Sequence, residues 1–222
     1  MTHTPQISRQ LVIIGAGGHA VSVANIALSA GFVIHSFVDS NKAGQTLLEV
    51  KIIKSIADVG DVNQYSFALA IGDNAIRLKV YDEIVASFGQ LKFPALIHSS
   101  AVVSEFSKVD IGTVVMPKAV VGPNSTVEKF CLINTQASID HDCHMRDFSS
   151  LAPGAITGGN VEIGTRSAIS IGATLKHGIK IGKDVVVGAN SYVNRDISDN
   201  AIAYGTPARI IRTRRIGEPY LK

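Results

Sequence analysis

The stretch from residue 109 to residue 133, VDIGTVVMPKAVVGPNSTVEKFCLI, carries an apolar residue at every sixth position. The same spacing extends from residue 97 to residue 193 without an insertion, and only Thr157 interrupts the apolar series. These anchor positions are Ile97, Val103, Val109, Val115, Val121, Val127, Ile133, Ile139, Met145, Leu151, Thr157, Ile163, Ile169, Leu175, Ile181, Val187 and Val193. Since an α-helix repeats every 3.6 residues and a strand every two, a six-residue period predicts a parallel β-helix. A β-sandwich of short strands is disfavoured by so long a run in phase.

Four residues after most anchors stands a small residue, such as Ala119 or Ser125. Cys131 and Cys143 fall in this column, so we expect both to be buried, reduced thiols. Three hexads make one triangular coil of 18 residues, which places equivalent residues of successive coils about 4.8 Å apart. Glycines are expected to serve the corner turns. They are Gly112, Gly122, Gly154, Gly164, Gly172, Gly182 and Gly188.

The residues before the repeat have the pattern of a small α/β unit. The apolar run LVIIG at 11–15 is typical of a buried parallel strand. A glycine-rich turn, a helix to about residue 30 and two further strands at 32–38 and 67–71 are predicted to follow. Residues 75–88 predict an amphipathic helix. Its apolar positions are Ile76, Val80, Ile84, Val85 and Phe88.

Three segments are therefore expected. Residues 1–96 form a small Rossmann-like β-α-β domain, residues 97–198 form the β-helix, and residues 199–222 form a C-terminal tail. The N-terminal unit is expected to have an α/β fold, and the repeat that follows it is expected to form a parallel β-helix.

Composition excludes several classes of protein. The chain has 222 residues, 46% hydrophobic and 18% charged, which fits a globular fold and argues against disorder. A formal charge of +3 is too small to indicate nucleic-acid binding. No apolar run reaches membrane-spanning length, and the first ten residues lack the apolar core of a signal peptide. We expect a cytoplasmic protein that neither binds nucleic acid nor inserts into a membrane.

The glycine-rich turn GAGGHA at 15–20 matches the G-x-G-x-x-G/A pattern between a strand and a helix, and Asp39 ends the next strand. Glycines let the backbone approach a pyrophosphate, whose charge a helix N-terminus favours. The unit has about half the strands of a full dinucleotide-binding domain, so a nucleotide-sugar fits better. A purely structural turn is the alternative. His19 is expected to contact a ligand or begin the helix rather than to act as a catalyst.

His141 lies between two carboxylates in Ser-Ile-Asp-His-Asp-Cys, residues 138–143. A neighbouring carboxylate raises the basicity of an imidazole, which suits a general base, although a solvated histidine at a corner is equally compatible. The 18-residue coil places Gly159 next to His141, and this spacing predicts open space beside the ring. His177 is two coils away, roughly 9–10 Å, too far to share a zinc ion within one subunit. No metal is expected, although a zinc site built across subunits, as in a β-helical hydratase, remains an alternative.

Several motifs together resemble one family. They are GAGGH at 15–19, IGDNAIR at 71–77, NTQASIDHDC at 134–143, APGA at 152–155 and YGTPAR at 204–209. In this order they resemble the bacterial nucleotide-sugar N-acetyltransferases, left-handed β-helix enzymes that acetylate a 4-amino-4,6-dideoxy sugar. Sialic acid O-acetyltransferases share the layout. The resemblance covers nearly the whole chain.

The resemblance implies a left-handed parallel β-helix and a homotrimer with active sites between subunits, and it makes acetyl-CoA the co-substrate. His141 matches the general base and Asp142 the carboxylate that raises its basicity. The positions that match nucleotide-sugar contacts are Gly17, Gly18, His19, Asp39, Ser40, Gly72, Asp73 and Asn134. The positions that match acetyl-CoA contacts are Ser150, Gly159, Ile171, Gly172, Ala189, Pro207 and Arg209.

The chain departs from the family pattern at two cofactor positions, with Ser150 in place of a histidine and Ala189 in place of a glycine. Pro207 is predicted to end the last turn, and the arginines after it are suited to the phosphates of coenzyme A. For Arg214 and Arg215 a solvated basic tail is an equal alternative. Two other activities remain compatible with the sequence: O-acetylation of a sialic-acid-type hydroxyl and non-catalytic nucleotide-sugar binding by a trimer.

Overall fold

The computed structural model describes residues 9–221. The chain begins with a five-stranded sheet whose order is β3-β4-β2-β1-β5. Its elements are β1 (Gln10–Ile14), α1 (Gly18–Ser29), β2 (Val33–Val38), β3 (Thr46–Leu47), β4 (Val50–Ile53), β5 (Ser66–Leu69) and α2 (Asn74–Phe88). The predicted strand in the first apolar run is β1. It is central and paired in parallel on both sides, which is why its apolar residues are continuous.

Two features of this unit differ from expectation. The sequence pattern missed the antiparallel pair β3–β4, two short strands joined by a tight turn. In α2, Ile76 and Phe88 are exposed, whereas Asn74, Arg77 and Ile84 are buried. The predicted apolar face was therefore wrong in part, because the guanidinium of Arg77 is buried among backbone carbonyls that satisfy its hydrogen bonds.

The six-residue repeat forms seventeen two-residue strands, and the second residue of each is a predicted anchor. They are β6 (Leu96–Ile97), β7 (Val102–Val103), β8 (Lys108–Val109), β9 (Val114–Val115), β10 (Val120–Val121), β11 (Thr126–Val127), β12 (Leu132–Ile133), β13 (Ser138–Ile139), β14 (His144–Met145), β15 (Ser150–Leu151), β16 (Ile156–Thr157), β17 (Glu162–Ile163), β18 (Ala168–Ile169), β19 (Thr174–Leu175), β20 (Lys180–Ile181), β21 (Val186–Val187) and β22 (Tyr192–Val193). Each strand pairs in parallel with the strand one coil away, as Val121 does with Ile139. The fold is a left-handed parallel β-helix, as predicted.

The strands form three faces of a triangular prism. The domain face contains β6, β9, β12, β15, β18 and β21, and the N-terminal unit packs against it through Leu96, Val114 and Leu132. The apolar face contains β7, β10, β13, β16, β19 and β22, and the charged face contains β8, β11, β14, β17 and β20. The domain face meets the apolar face at the cavity edge, residues 116–119, 134–137, 152–155, 170–173 and 188–191. The apolar face meets the charged face at the His141 edge, residues 122–125, 140–143, 158–161 and 176–179.

Anchors and small residues fill the interior of the prism. Cys131 and Cys143 are both free and buried there, as predicted. Thr157, the one polar anchor, is buried as well, and its hydroxyl accepts a hydrogen bond from the Asp140 amide at 3.2 Å. The polar atom is thus satisfied, and the repeat continues through it.

The corners use glycine in two ways, not the one expected. Gly112, Gly154 and Gly172 have positive φ angles, the left-handed conformation that a tight corner needs. Gly122, Gly164, Gly182 and Gly188 do not; a Cβ added there would lie within 2.8 Å of the next turn of chain. Most left-handed corners carry side chains instead, Asp142 (φ 56°) among them. The close approach of successive coils, not corner conformation, requires the second group of glycines.

The last segment is more ordered than a simple tail. β23 (Ala201–Gly205) and β24 (Ala208–Thr213) form an antiparallel hairpin, and β23 extends the domain face by pairing with β21. Pro207 lies in the hairpin turn after a cis peptide bond, so it does not end the last coil as expected. No helix within residues 9–221 has the length and apolarity needed to cross a membrane.

Candidate active site

His141 is the second residue after β13, at the corner between the apolar and charged faces, and its side chain is about half exposed. Its Nδ1 atom is 2.7 Å from Oδ2 of Asp142. This hydrogen bond is the main cause of a pKa of His141 above its usual value. Asp140 instead accepts a hydrogen bond from the backbone amide of His141 at 2.8 Å. Asp142 is thus the carboxylate that faces the ring, a choice the sequence left open.

Gly159 lies directly beneath the imidazole of His141. A Cβ added to Gly159 would lie 2.4 Å from both Cε1 and Nε2 of the ring. The expectation of open space beside the ring was therefore wrong, because the ring itself occupies that space. Gly159 instead provides room for the orientation that His141 adopts.

His144, another histidine of the repeat, lies in surroundings separate from those of His141. His144 lies on the charged face, where its Nε2 is 2.7 Å from Glu128, and Arg146 joins Glu128 to Glu162. Among residues 9–221 there is no group of three or more His, Cys, Asp or Glu side chains arranged to hold a metal ion.

A cavity of about 380 Å³ lies between the N-terminal unit, the domain face and the last residues of the chain. Six predicted positions line it: His19, Gly72, Asn134, Ser150, Ile171 and Ala189. The first three belong to the predicted nucleotide-sugar set and the others to the predicted acetyl-CoA set. The fold thus brings parts of both sets to one concave, largely apolar space, the usual form of a small-molecule site.

His19 is held neutral in the wall of this cavity. Burial, and secondarily the charge of Arg77, lowers the pKa of His19 to about 4. At neutral pH the ring is therefore an uncharged group with one donor and one acceptor nitrogen. It is suited to hydrogen bonding with a ligand.

Arg77 is a residue of the site region that sequence reasoning missed. It is only 3% exposed and donates to carbonyl groups on both sides of the domain junction, including those of Gly72, Phe130 and Phe148. Burial lowers the pKa of Arg77. The guanidinium fastens α2 to the edge where the charged face meets the domain face, because Phe130 and Phe148 lie on that edge. Its hydrogen bond to Gly72 also fixes that residue in the cavity wall. The motif IGDNAIR contained it, but its role depends on partners far away in sequence.

The glycine-rich turn presents an unfilled surface. Gly15 has a φ of 108°, and a Cβ there would lie 2.9 Å from the Ala70 carbonyl oxygen, so packing requires this glycine. Gly17 and Gly18, in contrast, have nothing within 4 Å of an added Cβ. Gly17 is the N-cap residue of α1, and no side-chain hydrogen bond caps this end of the helix. The fold itself does not demand these two glycines, which leaves close approach of a ligand as a reason for them.

The remaining predicted ligand positions lie outside the cavity lining. Asp39 and Ser40 follow β2 at the carboxyl edge of the N-terminal sheet, where Asp39 accepts a hydrogen bond from the Asn41 amide. Asp73 caps α2 by accepting from the amides of Ala75 and Ile76, and its other oxygen accepts from Tyr220.

Gly172 lies on the cavity edge against Asn190. Gly159 lies on the His141 edge, one face away from the cavity. Within one chain, therefore, His141, Asp142 and Gly159 are not brought to the cavity.

The arginines after Pro207 divide into different roles. Arg209 lies on β24 and donates to the Ala208 carbonyl. Arg212 pairs with Glu218 at 2.6 Å, and Arg215 is exposed. Arg214 is 7% exposed and donates to the carbonyl groups of Asp184 and Glu218, so neither a phosphate-binding nor a solvated role fits it. Its backbone and side chain hold the last residues in place.

A left-handed β-helix with an appended nucleotide-binding-like unit and an exposed His–Asp pair defines the hexapeptide-repeat acyltransferase class. Comparison with known proteins identifies the family within this class. Residues 10–84 match the PglD N-terminal domain family. The acetyltransferase domain of PglB from Neisseria gonorrhoeae, solved in complex with acetyl coenzyme A, is 34% identical with a TM-score of 0.86, and the match covers 92% of this chain and 100% of that one.

Two further relatives agree with this placement. PerB from Caulobacter crescentus, solved in complex with CoA and GDP-perosamine, is 32% identical with a TM-score of 0.84, over 90% of this chain and 96% of that one. GDP-perosamine N-acetyltransferase of Escherichia coli O157:H7 is 28% identical over 69% of this chain and 68% of its own length. The chain belongs to the nucleotide-sugar N-acetyltransferases of the hexapeptide-repeat family. It is an enzyme of the acetyl-CoA-dependent N-acetyltransferase type.

Proposed function

We propose that the enzyme transfers the acetyl group of acetyl-CoA to the C4 amine of a nucleotide-linked 4-amino-4,6-dideoxy sugar, with His141 as general base. The observation that carries this proposal is the His141–Asp142 pair at 2.7 Å. Since Asp142 accepts a hydrogen bond, Nδ1 carries the proton and Nε2 is left as the basic nitrogen. An exposed Nε2 with a raised affinity for protons is what a general base needs.

The amine nitrogen attacks the thioester carbonyl carbon, and Nε2 of His141 takes the proton that the amine loses. The carbonyl oxygen becomes an oxyanion, for which a backbone N–H of the coil serves as donor. Collapse of the tetrahedral intermediate breaks the C–S bond, forms the amide and releases the coenzyme A thiolate. No covalent enzyme intermediate is involved, since Cys131 and Cys143 are buried inside the prism. Much of the acceleration comes from holding the two substrates together.

The substrates are assigned to the predicted positions. The nucleotide-sugar lies along Gly17, Gly18 and the carboxyl edge that holds Asp39, Ser40 and Asp73, and its sugar points toward His19, Gly72 and Asn134. Acetyl-CoA follows the cavity edge, with Ser150, Ile171, Gly172 and Ala189 beside it. The turn at Pro207 and the adjacent Arg209 extend the same side toward its phosphates.

The enzyme acts as a homotrimer in which His141 of one subunit serves the cavity of its neighbour. The cavity and His141 lie on opposite edges of the apolar face, and a face separates them. The outward side chains of this face include Val102 (62% exposed), Ile156 (45%) and Tyr192 (38%). Such a surface favours contact with another protein surface. A threefold axis repeats one heterologous contact three times, and each contact then joins one His141 edge to one cavity.

The decisive test incubates the enzyme with acetyl-CoA and a panel of 4-amino-sugar nucleotides, with release of free thiol as the signal. GDP-perosamine comes first, because PerB binds it; UDP- and dTDP-linked amines and a sialic-acid-type hydroxyl acceptor follow. An acetylated product that resists mild alkali is an amide and supports the proposal. An alkali-labile ester from the hydroxyl acceptor alone, or no turnover with any amine, contradicts it. Sedimentation analysis checks the trimer.

A further inference from the structure

The last residues of the chain return to the N-terminal unit. After β24 ends at Thr213, Arg214 donates its amide to the Asn200 carbonyl at 2.9 Å and its side chain is buried against the coil at Asp184. Glu218 then pairs with Arg212 and accepts from the Arg215 amide at 3.1 Å. These contacts hold residues 214–218 as a compact turn. They direct Tyr220 and Leu221 toward the cavity.

The phenol of Tyr220 contacts both predicted substrate sets. Its hydroxyl donates to the Gly72 carbonyl at 3.2 Å and lies 3.3 Å from Oγ of Ser150. Its backbone amide donates to Asp73 at 3.3 Å. Gly72 and Asp73 belong to the nucleotide-sugar set, and Ser150 belongs to the acetyl-CoA set. No predicted motif included Tyr220.

The direction of the hydrogen bonds follows from the groups involved. Asn74 Nδ2 only donates, and it lies 3.0 Å from Ser150 Oγ. The Gly72 carbonyl only accepts, so the Tyr220 proton points to it. Ser150 accordingly accepts a hydrogen bond from Asn74 and donates one to Tyr220. The hydroxyl groups of Ser150 and Tyr220 are thus each both donor and acceptor. The Ser150 proton is thus directed at Tyr220, while Ser150 itself lines the cavity.

Tyr220 and Leu221 also form a wall of the cavity, and Leu221 Cδ1 would lie 3.1 Å from a Cβ added at Gly72. We propose that Tyr220 is a positioning residue of the acetyl-transfer site, which fixes the Ser150 hydroxyl beside acetyl-CoA and closes the cavity from the C-terminal side. The proposal rests on the proposed function for the identity of the ligand. It does not require Tyr220 to exchange a proton with substrate.

The critical variant is Tyr220→Phe, which keeps the ring and removes the hydroxyl. Ser150 then loses its acceptor, and its hydroxyl turns to other positions. We expect KM and Kd for acetyl-CoA to rise about threefold to tenfold, the effect of one misdirected hydrogen bond, with KM for the nucleotide-sugar within about twofold of wild type. Tyr220→Ala also opens the wall and is expected to weaken acetyl-CoA binding further.

The matched control is Tyr65→Phe. Tyr65 also uses its hydroxyl in a hydrogen bond, to His35 at 3.3 Å, but on the outer side of the N-terminal unit. This variant should retain wild-type constants. Thermal unfolding of all three variants, measured beside the kinetics, separates positioning from loss of fold.

The two proposals fail in different ways. If wild type turns over no amino-sugar nucleotide, the proposed function fails, and calorimetric titration with coenzyme A still measures the effect of Tyr220→Phe. If wild type is active, or binds coenzyme A, while Tyr220→Phe matches Tyr65→Phe in its acetyl-CoA constants, the role of Tyr220 is wrong. An equal rise in the constants of both substrates also overturns it, because that result indicates a general structural effect.

Discussion

His141 and His19 lie in two regions of the molecule that shift the pKa of a histidine in opposite directions. At the His141 edge, the hydrogen bond to Asp142 and, secondarily, the charges of Asp140 and Asp142 raise the pKa of the imidazole. In the cavity, burial and Arg77 lower the pKa of His19 to about 4. The first region presents an exposed histidine with a raised pKa, and the second presents a cavity of about 380 Å³ whose lining residue His19 has a lowered pKa. Each region supplies what the other lacks, which is the physical argument for a site built from two subunits.

The largest effect is expected from His141→Ala, which removes the base and leaves the cavity intact. General-base catalysis typically contributes about 10²- to 10⁴-fold, so kcat/KM should fall by that factor while Kd for both substrates stays near wild type. Rapid-quench or thiol-release kinetics and calorimetry measure the two quantities. Retention of most of the wild-type kcat/KM would disprove the general-base role.

Gly159→Ala tests the position of the ring rather than its chemistry. The new methyl group meets Cε1 and Nε2 of His141 at 2.4 Å, so the ring must move. Because a displacement of about 1 Å can cost about 100-fold in rate, we expect kcat to fall by up to that factor with little change in binding.

The control for this clash is the double variant His141→Ala/Gly159→Ala. With the imidazole absent, the added methyl group should cost nothing further, and the two effects should be strongly non-additive. A full additional loss in the double variant would show that Gly159 acts independently of His141.

Mixed trimers test whether the two regions meet between subunits. Ala189→Trp is designed to block the cavity of its own subunit, since Ala189 is an exposed residue of the lining. Each variant alone should be nearly inactive. When equal amounts of Ala189→Trp and His141→Ala subunits are randomly mixed into trimers, about one contact in four pairs an intact cavity with an intact His141. Activity should therefore return to about one quarter of wild type.

The two-subunit site would be disproved if trimers containing both variants, isolated through two affinity tags, stayed inactive. That result places His141 and the cavity of one subunit in the same site. Re-isolated trimers of each single variant, carried through the same mixing procedure, provide the baseline.

The predictability of these regions differs for a physical reason. The repeat predicted every coil strand because each hexad repeats the same local burial, and an insertion would shift all later anchors to another face. The orientation of His141 over Gly159 was not predictable, since spacing places backbones in register but does not choose a side-chain rotamer.

The cavity was predictable only through resemblance. It joins His19, Ser150 and Tyr220, which are distant in sequence and meet through packing of the N-terminal unit on the domain face. Arg77 was missed for the same reason, because its carbonyl partners at Phe130 and Phe148 become apparent only after the fold has formed. Local patterns do not report such partners.

The smallest change in rate is expected from Asp142→Asn, which removes the carboxylate that does most to raise the pKa of His141. Asparagine tolerates the left-handed φ of 56° at this corner, so the turn should persist. His141 acts as a base only when neutral, so kcat/KM rises with pH through its pKa. Removing the carboxylate lowers this pKa, so the acidic limb of the profile should move to lower pH. On the plateau, the less well oriented and less basic ring should cost about tenfold in kcat.

Asp140→Asn is the matched control for this prediction. Asp140 contacts the backbone amide of His141 rather than the ring, and its charge contributes less than the Asp142 hydrogen bond to the raised pKa. The acidic limb should therefore move in the same direction by a smaller amount, and the plateau should be unchanged because the ring keeps its partner. An acidic limb that stays in place, or moves to higher pH, in Asp142→Asn would mean that the group titrating in the profile is not His141.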